Sequence, residues 1–453
     1  MQGIGTRESE ATATDANAVG AVADEPQHVL IVTPLDLDVL LNNLEHHRIR
    51  HYSQLGHRVT VVYRRMNQSR RPLDMLRDTL LFSRREWTEG NVRFVKIDPP
   101  FNYFAGLRRN AEAGTTTETP ASRRGDSLKL LLIRLLSPLS VLRDVFAGPW
   151  MAFAAWRAVR RDPCDVCLGF GPWGGLAGVL VRKRGKARTF AYEDRDYEPG
   201  LVPDRFRQWY TAALERFGIR RADVTFSIGH LLSERRRDEL GVTTHVVPSG
   251  VEWDRYAEAR AAASPDPVLI YVGNVIDWAG LEHAISAMPR VREKISDARL
   301  VVVGTGSPDY LAHLERLAAP LGAGVVRFLG QRDPDELPGL LAGARIGLSN
   351  AKPVLFRRYA TPLKVIEYMA AGLPAITTVD TEAAAIVTRC DCGAAIPYDP
   401  DAFADAVVDL LGDEARYATL RENAIRHSRA YDWGHLLADE WAQIEACAGG
   451  TYA

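Results

Sequence analysis

Apolar runs of strand length alternate along this chain with longer amphipathic stretches, and the alternation occurs twice. In the first half, residues 29–33, 59–63, 166–169, 189–192 and 224–227 are short and almost wholly apolar, and each reads as a strand. Between or after them, 42–55, 150–160, 206–217 and a stretch ending at Gly241 carry helical spacing, and Gly56 and Gly241 supply stops. The second half repeats the scheme with strands at 268–273, 300–304, 325–329, 346–349 and 375–378, each followed by a helical segment. Strands without a polar face must be covered on both sides, so each half is expected to be a parallel sheet between helices, an α/β doubly wound unit. A last helix is predicted at 433–447, with Trp433 and Trp441 as packing residues.

At 453 residues the chain is too long for one core and fits two. Residues 1–26 are small, polar and acidic and read as a disordered tail. Net charge is close to zero, yet between positions 48 and 161 there are 22 Lys or Arg against 9 Asp or Glu. A basic surface attracts nucleic acid or anionic membrane. No nucleic-acid motif accompanies it, so no nucleic-acid partner is expected and membrane is the better fit. Residues 106–147 read as an insertion, mobile in its Thr, Glu, Arg and Gly-rich first part. Its second part, opening at Leu128 and closing at Phe146, is apolar but broken by Pro138 and by basic residues, so it does not span a bilayer, which takes about 20 mostly apolar residues. It fits a peripheral, in-plane amphipathic helix; a core-packing helix pair is the competing reading. Five cysteines without regular spacing, and no signal peptide, predict a reducing, cytoplasmic setting. Cys164 and Cys167 form a lone C-x-x-C, and Cys390 with Cys392 only C-x-C, so buried thiols are expected rather than zinc.

The chemistry concentrates in T-P-L-K-V-I-E-Y-M-A-A-G-L-P, residues 361–374. Thr361 is a suitable N-cap, Pro362 suits the first helical position, and Gly372 with Pro374 ends the helix. First-turn amides at Leu363 and Lys364 would face an anion together with the Lys364 ammonium. Glu367 lies one turn on, where a carboxylate could take two hydroxyls of a sugar. A plain capped helix with an i, i+3 ion pair is the alternative. In the first half, the Gly-rich stretch 169–178 lets backbone approach a ligand, and Glu193, Asp194 and Asp196 follow a strand end, where ligands of open α/β sheets lie.

The 361–374 segment resembles the nucleotide-sugar signature of GT-B glycosyltransferases, especially family 4. V-V-P-S-G-V at 246–251, Y-V-G-N-V-I-D-W-A-G at 271–280 and R-L-V-V-V-G-T-G at 299–306 resemble its interdomain turn and donor-domain loops. E-D-R-D-Y-E-P at 193–199 is similar to a string in one branch of the family. The resemblance implies two Rossmann-like domains facing a cleft: an acceptor domain over 27–249, a donor domain over 250–430, and a crossover helix over 431–448. It implies transfer of a sugar from a nucleotide diphosphate donor to a hydroxyl of a glycan, lipid-linked or natural-product acceptor, with retention. No metal or cofactor is expected. Donor contacts fall to Lys364, Glu367, Thr361, Pro362, Leu363, Gly273, Asn274, Gly304, Gly306 and Arg358. For the acceptor, Asp196 is the first choice as base or orienting group and Glu193 the second; a solvated acidic turn is the alternative.

The sequence also departs from that pattern. The first glutamate of the family's E-x7-E pair falls on Tyr359, and the Arg and Lys expected after the first donor-domain strand fall on Asn274 and Ala279. Lys364 must then carry more of the diphosphate, with Arg357 or Arg358. These gaps leave open a nucleotide-sugar epimerase of the same fold and a non-catalytic or partner-dependent subunit. A dehydrogenase lacks its fingerprint, since Gly304-Thr305-Gly306 has no third glycine.

Overall fold

The computed structural model describes residues 25–38, 44–65, 84–98, 139–202, 204–262 and 264–449. Most of the 106–147 insertion and the 1–26 tail therefore lie outside the described residues.

The first unit contains β1 (His28–Thr33), α1 (Leu44–Gln54), β2 (Arg58–Arg64), β3 (Arg84–Glu89), β4 (Val92–Ile97), α2 (Leu139–Val159) and β5 (Cys164–Phe170). It continues with α3 (Gly171–Lys183), β6 (Ala187–Asp194), α4 (Arg205–Ile219), β7 (Val224–Ser227), α5 (His230–Leu240) and β8 (His245–Val246). Its sheet runs β3-β4-β2-β1-β5-β6-β7-β8. All pairs are parallel except β3 with β4. The apolar run of β1 divides between two cores: Leu30 and Val32 pack under α2, α3 and α4, while Val29 and Ile31 pack against α1 and the last helix. The sequence reading does not place β3, R-R-E-W-T-E, which is an edge strand with little to bury, nor β4, V-R-F-V-K-I, whose apolar run is interrupted by Arg93 and Lys96.

The second unit contains α6 (Ala257–Ala261), β9 (Val268–Val272), α7 (Leu281–Lys294), β10 (Arg299–Val303), α8 (Pro308–Ala318), β11 (Val326–Gly330), α9 (Leu337–Ala342), β12 (Ile346–Ser349) and α10 (Leu355–Tyr359). Then come α11 (Leu363–Ala371), β13 (Ala375–Thr378), α12 (Glu382–Arg389), β14 (Gly393–Ile396), α13 (Pro400–Gly412), α14 (Glu414–Ser428) and α15 (Trp433–Ala448). The sheet is wholly parallel, in the order β11-β10-β9-β12-β13-β14. The order reverses beside β1 and again beside β9, and a crevice opens at such a reversal, beyond the carboxyl ends of the strands.

Helix α15 crosses back onto the first unit. Trp441 and Ile444 join the core of Val29, Ile31 and Tyr52, and Glu440 is fully buried there. Arg48 donates through Nε to both Glu440 oxygens at 2.9 Å and through Nη2 to Glu193 at 2.9 Å, and the Tyr52 hydroxyl also donates to Glu440. Trp433 stacks on His47 at 4.5 Å and lies so close to Gly250 that a β-carbon there would approach it to 2.6 Å.

Candidate active site

Helix α11 is held by one face. Val365, Ile366, Tyr368 and Met369 are buried, and the Tyr368 hydroxyl accepts from the Val272 amide at 3.0 Å while donating to Leu348 O at 3.3 Å. This pins the helix to the ends of β9 and β12 and leaves Leu363, Lys364 and Glu367 on the less buried side. Gly372 ends it at φ 77°, as expected. Its start differs from the expectation: Pro362 is the N-cap and no side chain caps the helix. Thr361 instead turns its hydroxyl to Ile228 O in the first unit, a partner that no local pattern reveals.

Lys364 and Glu367 do not pair with each other. The Lys364 ammonium lies 3.9 Å from the centre of the Tyr271 ring, and Glu367 accepts from the Tyr256 hydroxyl at 3.2 Å. The plain ion-paired helix is therefore not what forms. Burial, reinforced by Arg357, pulls the Lys364 pKa down to about 7, with Glu367 opposing only in part. Burial also pushes Glu367 up to about 7 against Tyr256, Lys364 and Arg255. Arg357 lies over the Trp278 ring at 4.9 Å, and its pKa too is lowered by burial. Among the described residues, no carboxylate is within ion-pairing distance of Lys364 or Arg357. Lys364 and Arg357 thus share this corner with no carboxylate in direct contact with either.

Arg358 is not the second cation. It is exposed, with its guanidinium 5.9 Å from the Tyr359 ring. The choice between the two arginines turns on helical phase in a five-residue helix, which the sequence leaves open. Gly273, at φ 137°, makes room for Lys364: a β-carbon there would be 3.1 Å from the ammonium nitrogen. Asn274 is exposed and uses its carbonyl to accept from the Tyr271 hydroxyl at 2.7 Å. Gly304 and Gly306 need no ligand to explain them. A β-carbon at Gly304 would come within 1.9 Å of Gly273 O, and one at Gly306 within 1.8 Å of Val275 O, where the loops after β9 and β10 join.

From the first unit, Asp196 approaches this corner. It lies close enough to Arg357 for each to bias the other's protonation; burial raises the Asp196 carboxyl, and Arg195 and Arg357 oppose the rise. Glu193 does not reach the opening. It is only 2% exposed, lies one residue before the end of β6 against Arg48, and is pushed above the usual carboxylate range by burial, which Arg48 opposes and the nearby Glu440 carboxylate reinforces. Asp194 is likewise buried, bound by Arg236 at 2.7 and 2.9 Å. The predicted acidic turn is thus half strand, and β alternation separates its members. Glu198, not singled out from the sequence, is raised to about 7 by burial and by Asp196.

Tyr359 has a different task from a glutamate. Arg235 of the first unit donates to the Tyr359 hydroxyl at 2.7 Å and to the Tyr197 hydroxyl at 2.8 Å, with its guanidinium 3.8 Å from the Tyr197 ring. Nearby, Glu382 accepts from the His230 and Leu231 amides at 2.9 Å, a carboxylate on the first turn of α5. With Thr361 these contacts fasten the two units. Between them lies a cavity of about 200 Å³, lined by His47, Arg195, Glu252, Arg255, Leu363 and Glu367 among others.

Residues 266–413 match the family model described as Glycosyl transferases group 1. The chain is 28% identical over 286 residues to a GDP-mannose-dependent alpha-(1-6)-phosphatidylinositol monomannoside mannosyltransferase of Mycolicibacterium smegmatis, covering 57% of this chain and 69% of the relative. It is 27% identical over 245 residues to a phosphatidyl-myo-inositol mannosyltransferase of Mycobacterium tuberculosis, covering 49% and 59%. Sucrose-phosphate synthase from Thermosynechococcus elongatus shares the fold at a TM-score of 0.62 and 16% identity, over 94% of this chain and all of that one. The fold is GT-B, and these likenesses support a glycosyltransferase of the family 4 type. The epimerase and partner-subunit readings gain nothing from these likenesses. The two parallel sheets and their strand order follow the expected plan.

Proposed function

We propose that the chain moves a hexose from a nucleotide diphosphate sugar to a hydroxyl of a lipid-linked or glycan acceptor, with retention. The observation that carries this reading is the corner formed by Lys364, Arg357 and the uncapped start of α11. Two cations without carboxylate partners and a set of first-turn amides suit a diphosphate, and Glu367, held by Tyr256, suits the ribose hydroxyls. As the bond from the sugar's anomeric carbon to phosphate oxygen breaks, charge grows on the departing diphosphate, where Lys364 and Arg357 offset it without reorganising. The acceptor oxygen bonds to the anomeric carbon, and its proton passes to the leaving phosphate oxygen while Asp196 orients the hydroxyl. In this reading protein cations, not a resident metal, face the diphosphate. Two relatives named for phosphatidylinositol substrates support a lipid-borne polyol as acceptor and peripheral attachment to a membrane face. Among the described residues no helix is long and apolar enough to cross a membrane.

The test is to incubate the purified chain with GDP- and UDP-hexoses and a phosphatidylinositol extract, and to follow glycolipid formation by mass spectrometry. A new hexosylated lipid with matching release of nucleoside diphosphate is expected. Isomerised donor with no transfer would refute the reading.

A further inference from the structure

The sequence places the membrane contact at 128–146, most of which lies outside the described residues. The described residues present a different surface. Helices α2, α3 and α4 lie side by side on one face of the first sheet, and their inner sides form one core. The starts of α2 and α4 are tied together: the Tyr210 hydroxyl donates to Val145 O at 3.1 Å, and Arg207 pairs with Asp144 at 3.1 Å. Around this junction the outer surface is aromatic. Trp209 is 65% exposed, and Phe206, Phe146, Phe153 and Leu201 are exposed as well. Phe206 stacks on Tyr210, and Phe153 lies between Trp150 and Trp156. On α2 the exposed positions 146, 149, 153, 157 and 160 follow helical spacing, so Phe146, Pro149, Phe153, Arg157 and Arg160 form one stripe. On α4, Arg205, Trp209, Arg216 and the following Arg220 share a face in the same way.

Charge identifies the occupant. From 145 to 161 there is no acidic residue, and from 205 to 221 the only one is Glu215, buried against Arg236. The C-terminal ends of the three helices expose Arg157, Arg160 and Arg161, then Arg182, Lys183 and Arg184, then Arg216, Arg220 and Arg221. The exposed acids beside them, Asp162 and Asp223, are each paired with an arginine. A protein partner would need a matching acidic groove, whereas exposed Trp and Phe beside arginines suit an anionic lipid–water interface. The face also leads to the cleft. Leu201 ends the turn 198–201, and at Gly200 of that turn a β-carbon would lie 3.8 Å from exposed Leu355, which starts the helix carrying Arg357.

We infer that the outer face of α2 and α4 is a docking surface for an anionic phospholipid bilayer, seated through Phe146, Phe153, Phe206 and Trp209 and oriented by the arginines. The inference rests on the proposed function only for the direction from which a lipid-borne acceptor arrives. It is tested by flotation of the full chain with vesicles of equal parts phosphatidylglycerol and phosphatidylcholine, or of phosphatidylcholine alone, beside calorimetry with GDP and UDP. The parent is expected to float with the anionic vesicles and not the neutral ones, and less as salt rises. The variant F206S/W209S, altered at two exposed positions, is expected to lose vesicle affinity by about tenfold or more with nucleotide binding and melting temperature unchanged. A parent that binds nucleotide but stays off anionic vesicles overturns the docking surface and leaves the transferase reading standing. Flotation without nucleotide binding does the reverse. Equal flotation of parent and variant, or concentration-dependent dimers that the variant abolishes, also overturns it, the latter in favour of a second copy.

Discussion

Replacing Lys364 by Met tests the donor corner most directly, because the side chain is nearly isosteric and only the ammonium is lost. A hydrogen bond to a charged group contributes about 1.5–3 kcal/mol, so the dissociation constant for the nucleoside diphosphate should rise by about 10- to 150-fold. The pH dependence sharpens the test. With a free-protein pKa of about 7, the ammonium is half protonated at neutrality, and a bound diphosphate raises that pKa. Binding should therefore weaken as pH rises above 7, by up to about tenfold per pH unit until the bound-state pKa is passed. Below pH 7 the affinity should be flat with respect to this group. Stability should move the other way. The folded pKa lies below the ordinary lysine value of 10.5, so the unfolded chain holds more protons between the two and the stability this lysine costs grows as pH falls from 10.5 towards 7. The Met variant should thus melt no lower than the parent at pH 7. Calorimetric titration of both proteins at pH 6, 7, 8 and 9 measures the two binding effects, and thermal melts at the same pH values measure the third. Equal affinities, or a slope above pH 7 that persists in the Met variant, would refute the assignment.

Asp196→Ala removes the group that orients the acceptor and should lower transfer by about 100-fold while leaving the donor dissociation constant within about twofold, read from steady-state rates and calorimetry. Arg48→Met leaves Glu193 and Glu440 buried without their counter-ion and should cost about 3–5 kcal/mol in urea unfolding; a change below about 1 kcal/mol would mean those carboxylates are protonated in the native state. Tyr359→Phe removes the hydroxyl that Arg235 grips and should loosen the contact between the units, seen as faster amide exchange at 228–236 with little change in the melting of either sheet.

How much of this was legible beforehand depends on the range of the interactions. Strands β12 and β13 were predicted with their observed bounds because I-G-L-S and A-I-T-T are short apolar runs between clear stops. β14, G-A-A-I, carries too little apolar mass to announce itself. In the candidate site, Lys364 and Glu367 could be placed together on the less buried side of α11 because helix phase is a local property. Residues whose partners lie across the cleft could not. Thr361 looked like a cap and instead reaches Ile228, and Glu193 looked like an acid at an opening until Arg48 and Glu440 closed over it. Nothing near Arg235 in sequence points to a tyrosine 124 residues away.

The Arg48–Glu440 contact joins positions 392 residues apart. During synthesis, β1, β2 and α1 leave the ribosome long before α15 exists, and the core of Val29, Ile31 and Tyr52 lacks Trp441 and Ile444 until it arrives. Domains emerging early usually finish folding while the rest is made. Here the amino-terminal half must wait for the final helix, so nascent chains stalled before position 433 should be the form that chaperones hold and proteases cut.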